Sequence, residues 1–392
     1  MIPIAVPVLD ADEAEAARDA VLSGWVSQGP QVAAFEKEFA AMVGAPYACA
    51  VSNCTTALHL ALLALNIKAG DEVITVSHSF IATANCIRYC GATPVFVDID
   101  PETYNIDPAC VAAAITPRTR AILAVHQMGM PCDLNILLPL AEKHDIPLIE
   151  DAACAAGSEI LIDGKWERLG KPHGHIACFS FHPRKVITTG EGGMLTTANR
   201  EFDQKFRLLR QHAMTVPDTI RHGSRQVLFE HYSDVGFNYR MSDIQAAIGR
   251  KQLIKLPGFV ARRRELASRY AELLSDCPEI GLPFEPEWAR SNWQSYCVRL
   301  PDSVDQIALM QRLLDRGIAT RRGIMCSHRE APYSDGPFPH NLGRSERAQD
   351  HCILLPLFYQ LPESDLVSIA QALKDELAQG TEPIGLPHYA RA

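Results

Sequence analysis

One lysine and one aspartate occupy positions that suit chemistry on a bound aldehyde cofactor. Lys185 follows the apolar run 177–181 after a short loop, and Asp151 follows the apolar run 147–149 after Glu150. A lysine amine forms a covalent imine with an aldehyde, and a carboxylate keeps a pyridine nitrogen protonated. Pyridoxal phosphate requires both groups, so the pair predicts that cofactor. The alternative for Lys185 is the common state of the residue, a solvated surface lysine.

A phosphate site is predicted at the junction 52–58, where a strand gives way to a helix. The segment reads Ser-Asn-Cys-Thr-Thr-Ala-Leu. Backbone N–H groups at a helix start attract anions, and the hydroxyls of Thr55 and Thr56 can add hydrogen bonds. The same residue types are also typical of an N-cap without a ligand. Asp151 has the same alternative, because it could cap a helix over 152–156.

The loop around Lys185 is punctuated by proline and glycine. Pro183 precedes the lysine, and the segment 188–193 reads Thr-Thr-Gly-Glu-Gly-Gly. Glycines at these positions allow positive φ and close packing. A lysine held in a dry pocket is expected to have a lowered pKa, so Lys185 is predicted to act as nucleophile and as general base.

The elements that position these residues alternate between strands and helices along the first two thirds of the chain. This alternation is typical of βαβ units and predicts an α/β fold with a mostly parallel central sheet flanked by helices. Ligands bind such sheets at the carboxyl ends of the strands. The predicted strands are 47–52, 72–76, 93–97, 121–125, 147–149 and 177–181.

A change in character near residue 256 predicts two domains. Residues 1–256, including an N-terminal arm, form the predicted large cofactor-binding domain, and 257–392 form a smaller C-terminal α+β domain. The Pro-Gly pair at 257–258 marks the boundary, and a charged helix is predicted over 261–274. The three arginines at 262–264 are expected to lie on the solvated face of that helix.

Composition argues against several classes of protein. The net charge of -9 and the pI near 5.9 do not suit binding to nucleic acid. The apolar stretch 57–65 is too short to span a membrane, and no signal peptide is expected at the start. The 12 cysteines have no zinc-site spacing, which predicts a cytoplasmic protein with free thiols. His173 and His175 have no third ligand in a recognised spacing, so no metal is predicted.

The motifs resemble those of the DegT/DnrJ/EryC1/StrS family of sugar aminotransferases, which are pyridoxal phosphate enzymes with the type I aminotransferase fold. The strongest match is the segment 179–193, Phe-Ser-Phe-His-Pro-Arg-Lys-Val-Ile-Thr-Thr-Gly-Glu-Gly-Gly. The segments 150–153 and 236–242 also match, and the resemblance extends from 24–30 to 354–357.

The resemblance implies a role for each matching position. Lys185 would carry the cofactor, and Asp151 would contact its pyridine nitrogen. Asn238 would reach the cofactor phosphate of a neighbouring subunit, which implies a homodimer with shared active sites. The other implied contacts are Phe80 on the cofactor ring and Thr55, Thr56 and Ser180 on its phosphate.

Two positions depart from the family pattern. Cys54 stands where the family usually has glycine, so the backbone there must avoid positive φ. Cys154 stands where glutamine or histidine often contacts the phenolic oxygen of the cofactor. It is expected to contact the cofactor too, although a thiol is a weaker hydrogen-bond partner. His328 lies where family members often place a histidine near the substrate.

The implied reaction moves an amino group from glutamate, or from glutamine, to a keto-sugar. The usual acceptor in the family is a nucleotide-linked keto-deoxyhexose, and two half-reactions at one site imply ping-pong kinetics. A keto-cyclitol acceptor stays open. Sugar dehydratases on this scaffold often have histidine in place of the lysine, so Lys185 disfavours that activity. A non-catalytic relative that binds cofactor or sugar is the remaining alternative.

Overall fold

Three β-sheets organise the chain in a computed structural model that describes residues 1–216, 226–334 and 340–378. The strands are β1 (Tyr47–Val51), β2 (Glu72–Val76), β3 (Thr93–Val97), β4 (Thr119–Val125), β5 (Leu148–Asp151), β6 (Glu159–Ile162), β7 (Lys165–Arg168), β8 (Ile176–Ser180), β9 (Gly193–Thr197), β10 (Ala289–Arg290), β11 (Tyr296–Arg299), β12 (Arg321–Arg322) and β13 (Cys352–Leu355).

The central sheet has seven strands in the order β1-β9-β8-β5-β4-β2-β3. The pairs β2–β3, β2–β4, β4–β5 and β5–β8 are parallel, whereas β9 runs antiparallel to both β8 and β1. The predicted α/β fold with a mostly parallel sheet is therefore confirmed. The two smaller sheets, β10-β6-β7 and β11-β13-β12, are antiparallel.

Helices cover both faces of the central sheet and build the C-terminal part. On β2, for example, Ile74 belongs to the core cluster on one face, which includes Phe35 and Phe39, and Val73 belongs to the cluster on the other face, which includes Leu58. This alternation follows from the two-residue period of a strand. The helices are α1 (Ala11–Leu22), α2 (Pro30–Val43), α3 (Cys54–Ala64), α4 (Ala82–Tyr89), α5 (Pro108–Ala114), α6 (Leu134–Lys143), α7 (Arg200–Leu209), α8 (Asp243–Leu274), α9 (Gln306–Asp315), α10 (Gly343–His351) and α11 (Glu363–Ala378), with 3-10 turns at Gln127–Gly129, Ser327–Arg329 and Ala331–Tyr333.

Helix α8 runs through the predicted domain boundary. The helix predicted over 261–274 begins at Asp243, and Pro257 lies exposed inside it. Leu256 and Val260 pack into the core under the central sheet, while Tyr270 packs into a separate C-terminal core. Burial at helical spacing on both sides of the proline outweighs its cost of about 3 kcal/mol inside a helix. The division at 256 and 257 stays a prediction.

One of the three arginines at 262–264 is not solvated. Arg263 is 4% exposed, and it donates hydrogen bonds to the carbonyls of Trp293, Gln294 and Leu357. Burial lowers its pKa to about 10. The prediction of a wholly solvated cluster is therefore wrong, because one face of α8 turns toward the C-terminal core.

Other predictions concern the N-terminal arm, the thiols and the membrane. Ile2 donates to the carbonyl of Gly317 over 2.7 Å, so the arm contacts the C-terminal part of the chain. All 12 cysteines are free thiols. Across 1–216, 226–334 and 340–378, no helix combines the length and the apolar character needed to cross a bilayer.

Candidate active site

The structure brings Lys185 and Asp151 together. The parallel pairing of β5 with β8 sets Asp151 beside Cys178, and the chain then leaves β8 to reach Lys185. The Lys185 ammonium donates to Cys154 Sγ over 3.0 Å, and Cys154 lies in the turn that follows Asp151. The predicted pair is therefore close enough to interact, and Cys154 joins it.

The pKa of Lys185 differs in direction from the sequence expectation. Burial by itself lowers the pKa of the ammonium, but Cys154, then Cys54 and then the carboxylate of Asp151 together raise it further than burial lowers it. The net result is a raised pKa, so the expected lowering is wrong for the chain alone. Negative and polarisable neighbours stabilise the charged amine more than desolvation destabilises it.

Asp151 is a buried carboxylate with two hydrogen-bond donors. Its side chain is 4% exposed, Thr83 Oγ1 donates to its Oδ2 over 2.9 Å, and the amide of Ala153 donates to its Oδ1 over 3.2 Å. Burial raises the pKa of Asp151 above its usual value despite these donors. Residues 152–156 form turns and not a helix, so the helix-cap alternative for Asp151 is wrong. Sequence reasoning missed Thr83.

A buried pair of side chains, His126 and Glu150, lies beside Asp151. The amide of His126, which follows β4, donates to the carbonyl of Asp151 over 3.0 Å. The side chains of His126 and Glu150 meet at 3.0 Å, and the amide of Gly174 also donates to Glu150. Burial raises the pKa of Glu150, but the bond from His126 and the other donors lower it below its usual value overall. The end of β5 is therefore held by hydrogen bonds from the residue that follows β4 and from the loop that precedes β8.

The predicted phosphate site is the turn between β1 and α3. Asn53 is the N-cap, because its side chain accepts from the amide of Thr56, and Thr56 completes a capping box. The N-cap interpretation is therefore correct for this turn. It is compatible with anion binding because, among the described hydrogen bonds, the Asn53 side chain accepts from only one amide at the helix start, that of Thr56. Cys54 begins the helix, and its φ is negative, as the replacement of glycine requires.

Ser180 lies beside this turn because of a close backbone approach. Ser180 pairs with Gly193 across β8 and β9, and it is 8% exposed. A Cβ at Gly193 would lie 2.5 Å from the backbone of Asn53, so only glycine permits the contact. Gly190 has φ of +80°, as the loop pattern predicted. The structure thus collects Ser180, Thr55 and Thr56 at one corner of the sheet.

Two predicted contacts lie at the protein surface. Phe80 is 70% exposed, in the segment between β2 and α4, and Thr83 follows it in the first turn of α4. Asn238 is exposed, and its neighbour Tyr239 accepts a hydrogen bond from the amide of Ser52 at the phosphate turn. Both side chains are accessible to a ligand or to a second chain.

His328 is tied to the protein through both ring nitrogens. Its Nδ1 lies 2.6 Å from Ser77 Oγ, and its Nε2 lies 3.0 Å from Glu346. These contacts join the end of β2 to α10. The geometry favours a positioning role, and contact with a substrate stays a prediction.

Two histidines that were weighed as metal ligands have other partners. His173 Nε2 lies 2.8 Å from Glu167, and His175 Nδ1 accepts from the amide of Leu148 over 3.3 Å. The part of the chain that the structure describes holds no group of three or more metal-ligating side chains.

The donor set fits pyridoxal phosphate. A buried carboxylate suits a protonated pyridine nitrogen, a primary amine suits an aldehyde, and the start of an 11-residue helix suits a phosphate. An exposed aromatic ring at Phe80 suits stacking on the cofactor. Lys185, Asp151 and the turn at Thr55 and Thr56 would hold the group.

Acid is expected to destabilise the fold through His78, which lies 1% exposed next to the Ser77 contact. Burial lowers its pKa from 6.5 to about 4. The unfolded chain therefore binds more protons between pH 6.5 and 4, so stability is complete above pH 6.5 and falls as the pH drops toward 4. The loss is about 3 kcal/mol, measurable by urea unfolding at each pH.

The variant His78→Phe should lack this part of the acid loss, because the ring has no ionisable nitrogen. His144, which is exposed, provides the matched control as His144→Gln, and its pH dependence should equal that of the parent. An unchanged acid loss in His78→Phe would contradict the assignment.

Comparison with known proteins identifies similar chains over almost the full length. The model of the DegT/DnrJ/EryC1/StrS aminotransferase family matches residues 7–374. The spore coat polysaccharide biosynthesis protein SpsC of Bacillus subtilis is 36% identical over 384 residues, which are 95% of this chain and 96% of SpsC.

Solved structures show the same likeness. The aminotransferase TlmJ from Streptoalloteichus hindustanus superposes with a TM-score of 0.88 at 34% identity, over 97% of this chain and 99% of TlmJ. Helicobacter pylori PseC, an aminotransferase involved in the biosynthesis of pseudoaminic acid, superposes with a TM-score of 0.89 at 26% identity, over 97% of this chain and 100% of PseC. The likeness to each of these structures therefore covers almost the whole chain.

Proposed function

Since the chain belongs to the DegT/DnrJ/EryC1/StrS aminotransferase family, and is thus a pyridoxal phosphate-dependent sugar aminotransferase of type I fold, we propose that it moves the amine of glutamate to a nucleotide-linked keto-sugar. The observation that carries the proposal is that the Lys185 amine and the Asp151 carboxylate lie near enough to act on each other electrostatically at one sheet edge. Two half-reactions at this single site give ping-pong kinetics.

Lys185 does the proton transfers in this scheme. Its Nζ takes the proton from the Cα atom of the donor and returns a proton to the acceptor carbon. The bound cofactor supplies an electron sink for the carbon that loses the proton. Asp151 stays ionised to hold the pyridine nitrogen protonated, and that pairing offsets its field on Lys185. The amine then becomes easier to deprotonate than it is in the chain alone.

Cationic groups next to Lys185 support an anionic substrate. Arg184 and Arg321 are both exposed. Partial burial and, after it, the positive charge of Arg321 hold the pKa of Arg184 below its ordinary value, so the two cations act on one another. An anion relieves repulsion between like charges, and guanidinium groups suit carboxylates and phosphates. A donor carboxylate or the diphosphate of a nucleotide-linked sugar fits this requirement.

The relatives support a sugar acceptor. SpsC is named for polysaccharide biosynthesis, and PseC is described as an aminotransferase in the biosynthesis of pseudoaminic acid. A keto-cyclitol is the second candidate acceptor, since the residues around Lys185 serve any ketone. Lys185 in place of histidine favours transamination over dehydration.

A two-step experiment tests the proposal, because it identifies the amino donor and the keto acceptor separately. The enzyme with its cofactor is mixed with glutamate, glutamine or alanine, and loss of the visible absorption band identifies the donor. The converted enzyme is then mixed with a panel of nucleotide-linked keto-sugars and keto-cyclitols, and return of the band identifies the acceptor. Return with cyclitols alone would contradict the proposed acceptor. Cofactor binding without either half-reaction would indicate a non-catalytic relative.

A homodimer with shared active sites is also proposed, in the cytoplasm. Apolar side chains stand exposed in the segment that leads to Asn238, which suits burial against a second copy. They are Val227 (83% exposed), Phe229 (79%), Tyr232 (62%) and Val235 (80%).

Complementation between two inactive variants tests the shared site. Asn238→Ala is expected to weaken cofactor retention, and Lys185→Ala is expected to be inactive. A dimer of one chain of each, co-expressed and purified through two tags, has one intact site if Asn238 acts across the interface. Its activity should be about half that of the parent dimer. No recovery in purified mixed dimers would place Asn238 in its own chain's site.

A further inference from the structure

We propose that Ser79 and Thr83 act as positioning residues that keep the Asp151 carboxylate ionised and oriented toward the pyridine nitrogen of the cofactor. The proposal depends on the cofactor of the family, and not on the donor or the acceptor proposed above. Neither hydroxyl needs to touch the cofactor, since both act through Asp151.

The three side chains form a continuous buried chain. Ser79 Oγ lies 2.8 Å from Thr83 Oγ1, and Thr83 Oγ1 lies 2.9 Å from Asp151 Oδ2. Ser79 and Thr83 are each 2% exposed and Asp151 is 4% exposed. Buried polar groups of this kind depend on one another, because little water is available to replace a lost partner.

The direction of the hydrogen bonds follows from the number of hydrogens. An ionised carboxylate only accepts, so the single hydroxyl hydrogen of Thr83 points to Asp151. Thr83 then has none left for Ser79, so Ser79 donates to Thr83. Both hydroxyl dipoles therefore point their positive ends toward the carboxylate, and each strengthens the other.

This arrangement acts on the charged form of Asp151. Burial raises the pKa of the carboxyl, and the hydrogen bond from Thr83 is the largest effect that opposes it, ahead of the Ala153 amide and the Lys185 charge. A protonated Asp151 could not stabilise a protonated pyridine nitrogen. The hydroxyl chain thus preserves the charge that the cofactor needs in a dry site.

One short segment carries both the hydroxyl chain and the ring expected to stack on the cofactor. The amide of Thr83 donates to the carbonyl of Phe80 over 3.1 Å, and the amide of Ser79 donates to that of Ser77 over 2.9 Å. Thr83 also accepts, through its carbonyl, a hydrogen bond from Cys86 in α4. The start of α4 therefore fixes Phe80 and the donor to Asp151 in one rigid turn.

The variant Thr83→Val tests the proposal, because it removes the hydroxyl and keeps the shape. Its Kd for pyridoxal phosphate should rise roughly 10- to 100-fold, the range for loss of a hydrogen bond to a charged group. The pH at which the bound cofactor changes its visible absorption should also shift. Thr83→Ser should restore both quantities, and Ser79→Ala should show a smaller rise in Kd.

Thr75 offers a matched control. It is a fully buried threonine whose hydroxyl donates to the carbonyl of Leu123 over 2.8 Å, away from Asp151. Thr75→Val should therefore leave the Kd for the cofactor and its absorption profile unchanged. A rise in Kd equal to that of Thr83→Val would show a general packing effect and overturn the proposal.

A double-mutant cycle with Asp151→Asn decides between action through Asp151 and a purely structural role. If Thr83 acts through the charge of Asp151, Thr83→Val adds little to the Kd in the Asp151→Asn background. A full additional loss, or an unchanged Kd in Thr83→Val itself, overturns the proposal. If Thr83→Val does not fold by circular dichroism, Ser79→Ala in the same cycle provides the decision.

Discussion

Replacing Lys185 with alanine is expected to abolish amine transfer and the visible absorption band of the lysine-bound cofactor. The variant loses the nucleophile that holds the aldehyde and the base that moves the donor Cα proton. Since a positioned base alone contributes about 10²- to 10⁴-fold, the rate of amine transfer should fall by at least about 10³-fold. The measurements are single-turnover conversion of the donor and the absorption spectrum after cofactor is added.

Two further variants make this prediction specific. Lys185→Arg keeps a positive charge near Asp151 but cannot form the imine, so it should be as inactive as the alanine variant. Lys165, which is exposed on β7, gives the matched control Lys165→Ala with parental spectrum and rate. A parental absorption band in Lys185→Ala would refute the assignment of the cofactor lysine.

Replacing Asp243 with alanine is expected to lower the free energy of unfolding by about 3 to 5 kcal/mol. Asp243 is 2% exposed, and its carboxylate accepts from the amides of Gly29 (2.8 Å), Gln31 (3.0 Å) and Val32 (2.9 Å) at the start of α2. Alanine leaves these amides without their acceptor and removes a negative charge from a helix N-terminus. Urea unfolding followed by circular dichroism measures the loss.

The asparagine variant should be intermediate in stability. Its single amide oxygen can accept from Gly29 and Val32, but its NH₂ group cannot accept from Gln31. Asp302 pairs with Arg347 at the surface, with a side chain 59% exposed, so Asp302→Ala should change the free energy of unfolding by no more than about 1 kcal/mol. Equal effects at Asp243 and Asp302 would contradict the capping role.

The sequence was sufficient where the signal is local. Asp151 and Lys185 follow short apolar strands, and the carboxyl ends of parallel strands meet at one edge, so both could be placed without coordinates. The start of α3 was likewise predictable from residue types that cap helices. The strand boundaries agree within one or two residues for most of the central sheet.

The sequence was insufficient where a distant group decides the outcome. The sequence predicted a helix only from 261, beyond Pro257, yet the helix begins at Asp243 and continues through the proline because two separate cores bury it. Arg263 was expected to be solvated like Arg262 and Arg264. Instead it is buried and donates a hydrogen bond to the backbone carbonyl of Leu357 in the C-terminal part of the chain. The pKa of Lys185 was expected to fall, and the proximity of Cys154 raises it instead.

By itself the sequence determined the α/β architecture and the family, and it predicted the cofactor lysine with its aspartate. These depend on periodicity and on short motifs, which act over a few residues. Only the tertiary structure decided which distant side chains support Asp151 and which one caps α2, because Thr83 is 68 positions from Asp151 and Asp243 is 214 from Gly29. Hydrogen bonds between such residues form only when the fold brings distant parts of the chain together. A local sequence pattern does not indicate which distant residues will be neighbours.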